Sequence, residues 1–302
     1  MGESVFDVMI VGAGPAGLSA ALILGRSRRR VLVCDAGQPR NAVSHALHGF
    51  LTRDGIEPAE FLRLAREQLR PYETVELRQT TVTDAIRLPA HFEVRLRDGR
   101  RISSRKLLLA TGVVDDLPEI AGLSEFYGRS VFHCPYCDGW ELRDQPLAIY
   151  GSGENGSGLA LELLFWSRDL VLCTDGPSQL SDQQVERLAR HNIAIREGKI
   201  VQLKGVGGLL QSIEFANGEA LARRGMFFST GQGQSSDLPK KLGCEFNEQG
   251  CVDTGDYEST NVSGLYVAGD ASRLVQFVIV AASEGAQAAV AINKELMKED
   301  LD

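Results

Sequence analysis

The chain has 302 residues, 43% of them hydrophobic and 24% charged, and a net charge of −8 at neutral pH. This is the composition of a soluble globular protein long enough for two domains, and its acidity argues against a nucleic-acid partner. Six cysteines are too few for a disulfide scaffold, and their sparse use fits a reducing cytoplasm. The basic runs Arg28-Arg29-Arg30, Arg100-Arg101 and Arg223-Arg224 are short and scattered, as solvated edges are. Met1-Gly2-Glu3-Ser4 leads at once into a strand-like run, so no signal peptide is expected. The longest apolar stretch, Leu274 to Ala282, is too short to span a bilayer, so no membrane role is expected.

Val5 to Val11 reads as a buried parallel strand. Gly12-Ala13-Gly14-Pro15-Ala16-Gly17 follows, then a helical pattern through Leu24 and a second strand, Val31 to Asp35. This is G-x-G-x-x-G between strand and helix, with an acid at the end of the next strand. Gly12 permits the tight turn, Gly14 admits a pyrophosphate to the backbone, and Gly17 lets helix pack on strand. The helix N-terminus favours phosphate, and Asp35 would accept from ribose hydroxyls. Glu57 to Arg70 is an amphipathic helix with Phe61, Leu62, Ala65 and Leu69 on one face. Val75 to Leu88, Phe92 to Leu96 and Arg101-Ile102 read as a small antiparallel meander turned at Asp98-Gly99. Lys106 to Gly112 is a separate buried strand ending in a small-residue turn.

Cys134-Pro135-Tyr136-Cys137-Asp138 comes next. A C-x-x-C pair is either half of a zinc knuckle or a redox dithiol. Zinc needs a second pair, and Cys34, Cys173, Cys244 and Cys251 do not form one, so redox is favoured and no metal is expected. Cys34 and Cys173 read as small buried hydrophobes, while Cys244 and Cys251 flank a loop that a second disulfide could close. The glycine pattern then recurs: strand Leu147 to Tyr150, Gly151-Ser152-Gly153-Glu154-Asn155-Gly156, a helix to about Trp166, strand Leu170 to Thr174, and Asp175. The last glycine precedes the acid by 18 positions in the first copy and 19 in the second. A duplicated nucleotide-binding unit predicts two nucleotide sites, the alternative being a second copy that is a structural relic with an empty crevice. Met226 to Gly231 repeats the strand and small turn, Gly264 to Asp270 is a last strand ending at Gly-Asp, and a helix runs from Gln276 to about Met297.

Four of these segments, in order, resemble the low-molecular-weight thioredoxin reductases: Gly12-x-Gly14-x-x-Gly17, Ala110-Thr111-Gly112, Cys134-x-x-Cys137-Asp138-Gly139, and Gly264-Leu265-Tyr266-Val267-Ala268-Gly269-Asp270. The resemblance covers nearly the whole chain. It implies an α/β protein of two Rossmann-like dinucleotide-binding domains of FAD/NAD(P) type. The FAD domain would comprise residues 1–117 and 247–302, and residues 118–246 would be an inserted domain carrying the dithiol. The resemblance also implies a homodimer whose domains rotate about linkers near Asp115 to Gly122 and Gln232 to Asp237.

Site roles carry over by position. Cys137 resembles the sulfur that meets the flavin C4a, Cys134 the sulfur that exchanges with substrate, and Asp138 the acid–base group. Pro15, Ala16, Ala36, Gln38, Arg40, Asn41 and Val82 fall where the family holds FAD, as do Ala110, Thr111, Gly112 and Gly269. Asp270 resembles the residue that hydrogen-bonds the ribityl chain, and the helix starting near Gln276 and Phe277 would face the flavin N1/O2 edge. His48 occupies the region of a polar residue near the flavin ring; a loop histidine capping a turn is the equal alternative.

The resemblance breaks at the second glycine fold. NADPH-dependent members carry His-Arg-Arg and a further Arg after the second strand of the inserted domain. Here Thr174-Asp175-Gly176-Pro177-Ser178-Gln179-Leu180 stands there, without a cation. A carboxylate about 4 Å from a 2′-phosphate costs about 4 kcal/mol at an effective dielectric near 20. With Gly151, Gly153, Gly156 and Asp175, the site should therefore prefer NADH or a second FAD to NADPH. The resemblance then implies electron transfer between flavin and the Cys134–Cys137 pair and on to a thioredoxin-like protein disulfide, with ferredoxin, NADH or a second flavin on the donor side. Oxidation of a small dithiol by oxygen and a non-enzymatic redox sensor are the alternatives; for the oxidase, His133, Tyr136 and Trp140 would line the pocket.

Overall fold

The computed structural model describes residues 5–302; Met1 to Ser4, and with them the reading of the N-terminus, lie outside the described residues. In chain order, β1 (Phe6–Val11), α1 (Pro15–Arg26) and β2 (Val31–Asp35) are followed by α2 (Pro58–Glu67), β3 (Val75–Gln79), β4 (Val82–Arg87), β5 (Phe92–Leu96), β6 (Arg101–Leu109) and β7 (Val113–Asp115). Next come α3 (Leu123–Phe126), β8 (Val131–Phe132), α4 (Pro135–Asp138), β9 (Leu147–Tyr150), α5 (Gly153–Glu162), β10 (Leu170–Cys173), α6 (Asp182–Arg190) and β11 (Ala194–Arg196). β12 (Ile200–Val206), β13 (Leu209–Phe215), β14 (Ala220–Ala222), β15 (Gly225–Phe228), β16 (Gln232–Gln234), α7 (Leu238–Lys241), β17 (Leu265–Val267) and α8 (Val278–Leu301) complete the chain. The fold is α/β with parallel sheets, as expected. It divides into two compact units. One holds the described residues up to Ala42 with Gly49–Val114 and Gln232–Asp302; the other holds Val43–His48 with Asp115–Gly231.

In the first unit the strand order is β3-β2-β1-β6-β5-β4, with β17 also pairing β6. β1 is buried on both faces and pairs parallel with β2 and β6, which is why Phe6 to Val11 reads as a nearly continuous apolar run. Two sequence expectations are corrected here. β3 lies parallel to β2, so the antiparallel meander contains only β4, β5 and β6. Arg101-Ile102 and Lys106–Leu109 are one strand, not two. Its first half pairs with β5 and its second half with β17. The polar Ser103 to Lys106 hid that continuity. Lys106 is nevertheless 5% exposed, because its ammonium meets Glu295 at 2.6 Å and Glu299 at 2.7 Å on α8.

α8 begins two residues later and ends four residues beyond the expected Met297. Arg29 and Arg105 hold Asp300 at 2.6 and 2.7 Å, tying down its last turn. Its alanine-rich face packs on α1 so closely that a Cβ on Gly285 would stand 1.9 Å from the Ala16 carbonyl oxygen. Backbone cannot yield there as a side chain would. Gly285→Ala, which favours an isolated helix by about 1 kcal/mol, should therefore destabilise this protein by about 2 kcal/mol in urea unfolding.

In the second unit, β11-β10-β9-β15-β8 form a parallel sheet, and β12-β13-β14 form a separate antiparallel one. α5 stops at Glu162 and passes into a 3-10 turn, Leu163–Phe165, short of the expected Trp166. Ser181 and Gln184 cap α6 reciprocally. Cys34, Cys173, Cys244 and Cys251 are buried and unbridged, so no second disulfide joins Cys244 to Cys251. Burial pushes the Cys34 and Cys173 thiols up to about 12. Among the described residues no helix is long and apolar enough to cross a membrane.

Candidate functional site: two glycine loops and a dithiol

In the first unit Gly12 turns the chain at φ +104°, where a Cβ would lie 2.2 Å from the Ala110 carbonyl oxygen. A Cβ on Gly17 would lie 1.9 Å from the Gly12 oxygen, so the turn, α1 and the Ala110-Thr111-Gly112 turn are locked together. Gly14 is different: nothing lies within 4 Å of its missing Cβ. It precedes Pro15 at the start of α1 as an N-cap without a side-chain bond, the arrangement that leaves helix N–H groups for a phosphate. Asp35 accepts from the Ala13 N–H at 3.2 Å and from Arg66 at 3.1 Å. Ala36 and Gln38 are exposed on the loop that follows.

Arg40, next to Asn41, donates to Asp270 at 3.0 Å, to Gln276 at 2.6 Å and to Gln232 at 3.1 Å. Gln276 also donates to the Arg273 carbonyl at 3.0 Å, and Phe277 caps α8, whose first turn holds no acid. Beneath Asp270, the Gly269 N–H donates to Glu284 at 2.8 Å, and Arg273 bridges Glu284 and Glu258 at 2.7 and 2.6 Å. The Thr111 hydroxyl is buried without a partner among the described residues. An open glycine, an orphaned hydroxyl and an acid-free helix start fit the phosphates, ribityl chain and ring edge of a flavin dinucleotide. Val82 is 9% exposed and lies in the apolar core of the first unit. His48 belongs to the second unit, where its Nε2 stands 3.5 Å from Glu141. Arg66, Gln232, Arg273 and Glu284 carried no local sequence signal.

In the second unit Cys134 and Cys137 form a disulfide. Cys134 is the N-cap of α4, its sulfur accepting from the Cys137 N–H at 3.2 Å, with Pro135 at the first helical position. Asp138 follows directly. Burial first, and the Glu141 carboxylate second, raise it from the ordinary 3.8 to about 7. Gly139 is required: a Cβ there would meet the Pro135 oxygen at 2.5 Å and the Trp166 ring at 3.0 Å. Trp166 in turn takes Tyr136 edge-on, with ring centroids 5.3 Å apart. Tyr136 and Trp140 remain 64% exposed beside the disulfide. On the other side, His133 Nδ1 lies 3.3 Å from the Tyr127 hydroxyl, which donates to Asp115 at 2.7 Å. Asp115, Tyr127, Glu141 and Trp166 were not found from sequence, since each reaches the motif only through the fold. Chemically, the arrangement can serve as a redox pair with a buried carboxyl beside it to move a proton.

The second glycine loop joins β9 to α5. A Cβ on Gly156 would lie 2.5 Å from the Gly151 carbonyl carbon, so these two glycines pack as a pair, and Gly153 takes φ +56°. Asp175 accepts from Lys199 at 2.7 Å, from the Ile200 N–H at 2.6 Å and from the Tyr150 hydroxyl at 3.3 Å. The strand end thus has a cation nearby after all, supplied 24 residues downstream and already paired with the carboxylate.

Residues 6–285 match the family described as pyridine nucleotide-disulphide oxidoreductase. The chain is 30% identical to a protein named as a probable thioredoxin reductase from Arthroderma benhamiae, over 98% of this chain and 82% of that one. It is 28% identical to a thioredoxin reductase from Aquifex aeolicus, over 97% of this chain and 94% of that one. Among solved structures, one assigned as the thioredoxin reductase TrxB of Bacillus anthracis superposes with a TM-score of 0.93 at 36% identity, covering 98% of this chain and 99% of that one.

Proposed function

The chain belongs to the pyridine nucleotide-disulphide oxidoreductase family as a thioredoxin reductase-like, flavin-dependent disulfide oxidoreductase, and from that premise we propose that it passes electrons between FAD in its first unit and a protein disulfide such as that of thioredoxin, by way of Cys134–Cys137 and without NADPH. The observation that carries this reading is the disulfide with Asp138 beside it, buried and raised to about 7. We further propose a cytoplasmic homodimer, with ferredoxin, NADH or a second flavin on the donor side.

FAD, when bound, supplies or accepts the electron pair. The rest is the work of the chain. Reduction of the disulfide takes two electrons and two protons, and Asp138 gives one proton to the first thiolate released. Cys134, as thiolate, attacks the substrate disulfide and forms a mixed disulfide, expelling one substrate thiolate. Cys137 then attacks Cys134, closing the protein disulfide and releasing the second substrate thiolate. Arg40, Asp270 and Gln276 would hold the ribityl side, and Gly12, Gly14 and Gly17 with Pro15 and Ala16 would hold the pyrophosphate.

Gly14→Val tests the cofactor assignment without touching the dithiol. Gly14 sits at φ −74°, which any residue tolerates, and its missing side chain faces open space. The variant should fold, with the melting temperature of the flavin-free wild type. It should lose its yellow colour, with FAD affinity down about 100-fold or more. A yellow variant would move the flavin elsewhere.

A second reading, oxidation of a small dithiol with oxygen as acceptor, draws support from the exposed Tyr136 and Trp140 and from the His133–Tyr127–Asp115 chain beside Cys134. Assays of thioredoxin disulfide reduction and of dithiol-dependent oxygen uptake, run on the same preparation, separate the two. Steady turnover in neither would leave a redox sensor.

A further inference from the structure

Two glycine loops in one chain provide an internal comparison. In the first, the left-handed turn falls on Gly12, and Gly14 faces open space. In the second, the left-handed residue is Gly153, two places later in the motif, and a Cβ there would lie 3.6 Å from the Gln179 carbonyl oxygen. The Gly153 N–H donates to the Ser178 carbonyl oxygen at 2.8 Å. The corresponding Gly14 N–H makes no such bond among the described residues.

The segment responsible is clasped at both ends. The Ser178 N–H donates to Glu197 at 2.8 Å, and the Thr174 hydroxyl donates to the Gly176 carbonyl at 2.6 Å. Asp175 and Gln179, which bracket it, take φ +55° and +54°, a region non-glycine residues enter only when the surroundings hold them there. The Asp175 carboxylate, the expected ribose acceptor, already receives three donors from its own unit. A dinucleotide pyrophosphate needs the backbone N–H at the glycine loop, and here the chain has taken it. The residues present do not fit a second nucleotide.

We propose that Gly176–Gln179 is a strap that occupies the pyrophosphate position on the second glycine loop, so that this fold admits neither a pyridine dinucleotide nor the ADP half of a second flavin. The proposal rests on the donor reading above and narrows it: NADH and a second FAD leave the set of donors. Electrons then enter and leave through partners that meet the dithiol or the first flavin directly.

The test is calorimetric titration of the flavin-loaded protein with ADP, NADH and NADPH, repeated on two variants. Glu197→Ala removes the exposed clasp. The other variant replaces Gly176–Gln179 by two glycines. Wild type should show no saturable binding up to about 1 mM, and the shortened strap should bind ADP at least about tenfold more tightly. Saturable binding of ADP or NADH to wild type below about 100 μM overturns the proposal. So does a shortened variant that keeps the wild-type melting temperature and flavin absorbance yet gains no ADP affinity. If that variant does not fold, wild type and Glu197→Ala decide by the same criteria. Bleaching of the flavin by NADPH overturns the donor reading as well, whereas bleaching by NADH alone, or ADP binding without bleaching by NADPH, overturns the strap alone.

Discussion

Cys137→Ser should lose turnover of a disulfide substrate by about 10⁴-fold, the scale of removing a residue that forms and breaks the reacting bond. It should also trap the substrate. With Cys137 gone, the mixed disulfide on Cys134 has no resolving thiol and should persist as a covalent adduct visible by non-reducing electrophoresis and intact mass. Cys134→Ser should lose turnover to the same extent but form no adduct, because the exchanging sulfur itself is missing. The opposite pattern, an adduct on Cys137 only, would exchange the two roles. Neither loss is a folding effect. The bridge closes a loop with a sequence separation of 3, and so short a loop contributes about 2 kcal/mol to stability in the chain-entropy account. A serine in place of one sulfur leaves the core of the unit intact, so melting temperatures should stay within a few degrees of wild type.

Asp138→Asn should lower turnover about 100-fold and remove a limb of the pH profile centred near 7. The magnitude is that of a general acid–base group, and the position follows from a carboxyl raised from 3.8 to about 7 by burial and by Glu141. Its sign follows from the chemistry. In disulfide reduction the leaving thiolate needs a proton, so the carboxylic acid is the active form and turnover falls as pH rises through about 7. Dithiol oxidation needs the carboxylate as base, and turnover would rise instead. The direction of the limb thus reports the direction of electron flow. Stability carries the same signature. The folded state holds the Asp138 proton to a higher pH than the unfolded chain does, so stability declines from about pH 4 to about pH 7. The asparagine variant should lack that decline in urea unfolding measured across the range. Glu141→Gln removes the second cause of the shift and should move the limb to lower pH.

What the sequence revealed followed the range of each signal. The glycine loops, the dithiol and the final Gly-Asp turn are each encoded within about six consecutive residues, because turn geometry and pyrophosphate contact are local demands. The two-unit α/β organisation followed from the repeat of that local pattern. Where contacts are distant in sequence, the signal failed. Lys106 looked like a strand boundary because its partners Glu295 and Glu299 are nearly 200 positions away. Asp175 looked like a free ribose acceptor because Lys199 and Ile200 approach it from β12 and the turn before it. The strap was invisible because Gly176-Pro177-Ser178-Gln179 reads as an ordinary turn until its carbonyls are seen against Gly153. Asp115 and Tyr127 join His133 through a hydrogen-bond chain that no spacing encodes.

An anaerobic titration of the flavin-loaded protein, followed by flavin absorbance, tests the central claim most directly. NADPH is added first, then NADH, then a dithiol such as dithiothreitol. The account predicts that neither nucleotide bleaches the flavin and that the dithiol does, through Cys134 and Cys137, with Cys137→Ser unreactive in the same cuvette. Rapid stoichiometric bleaching by NADPH would contradict it, placing the donor on the second glycine loop and making this an ordinary NADPH-dependent reductase.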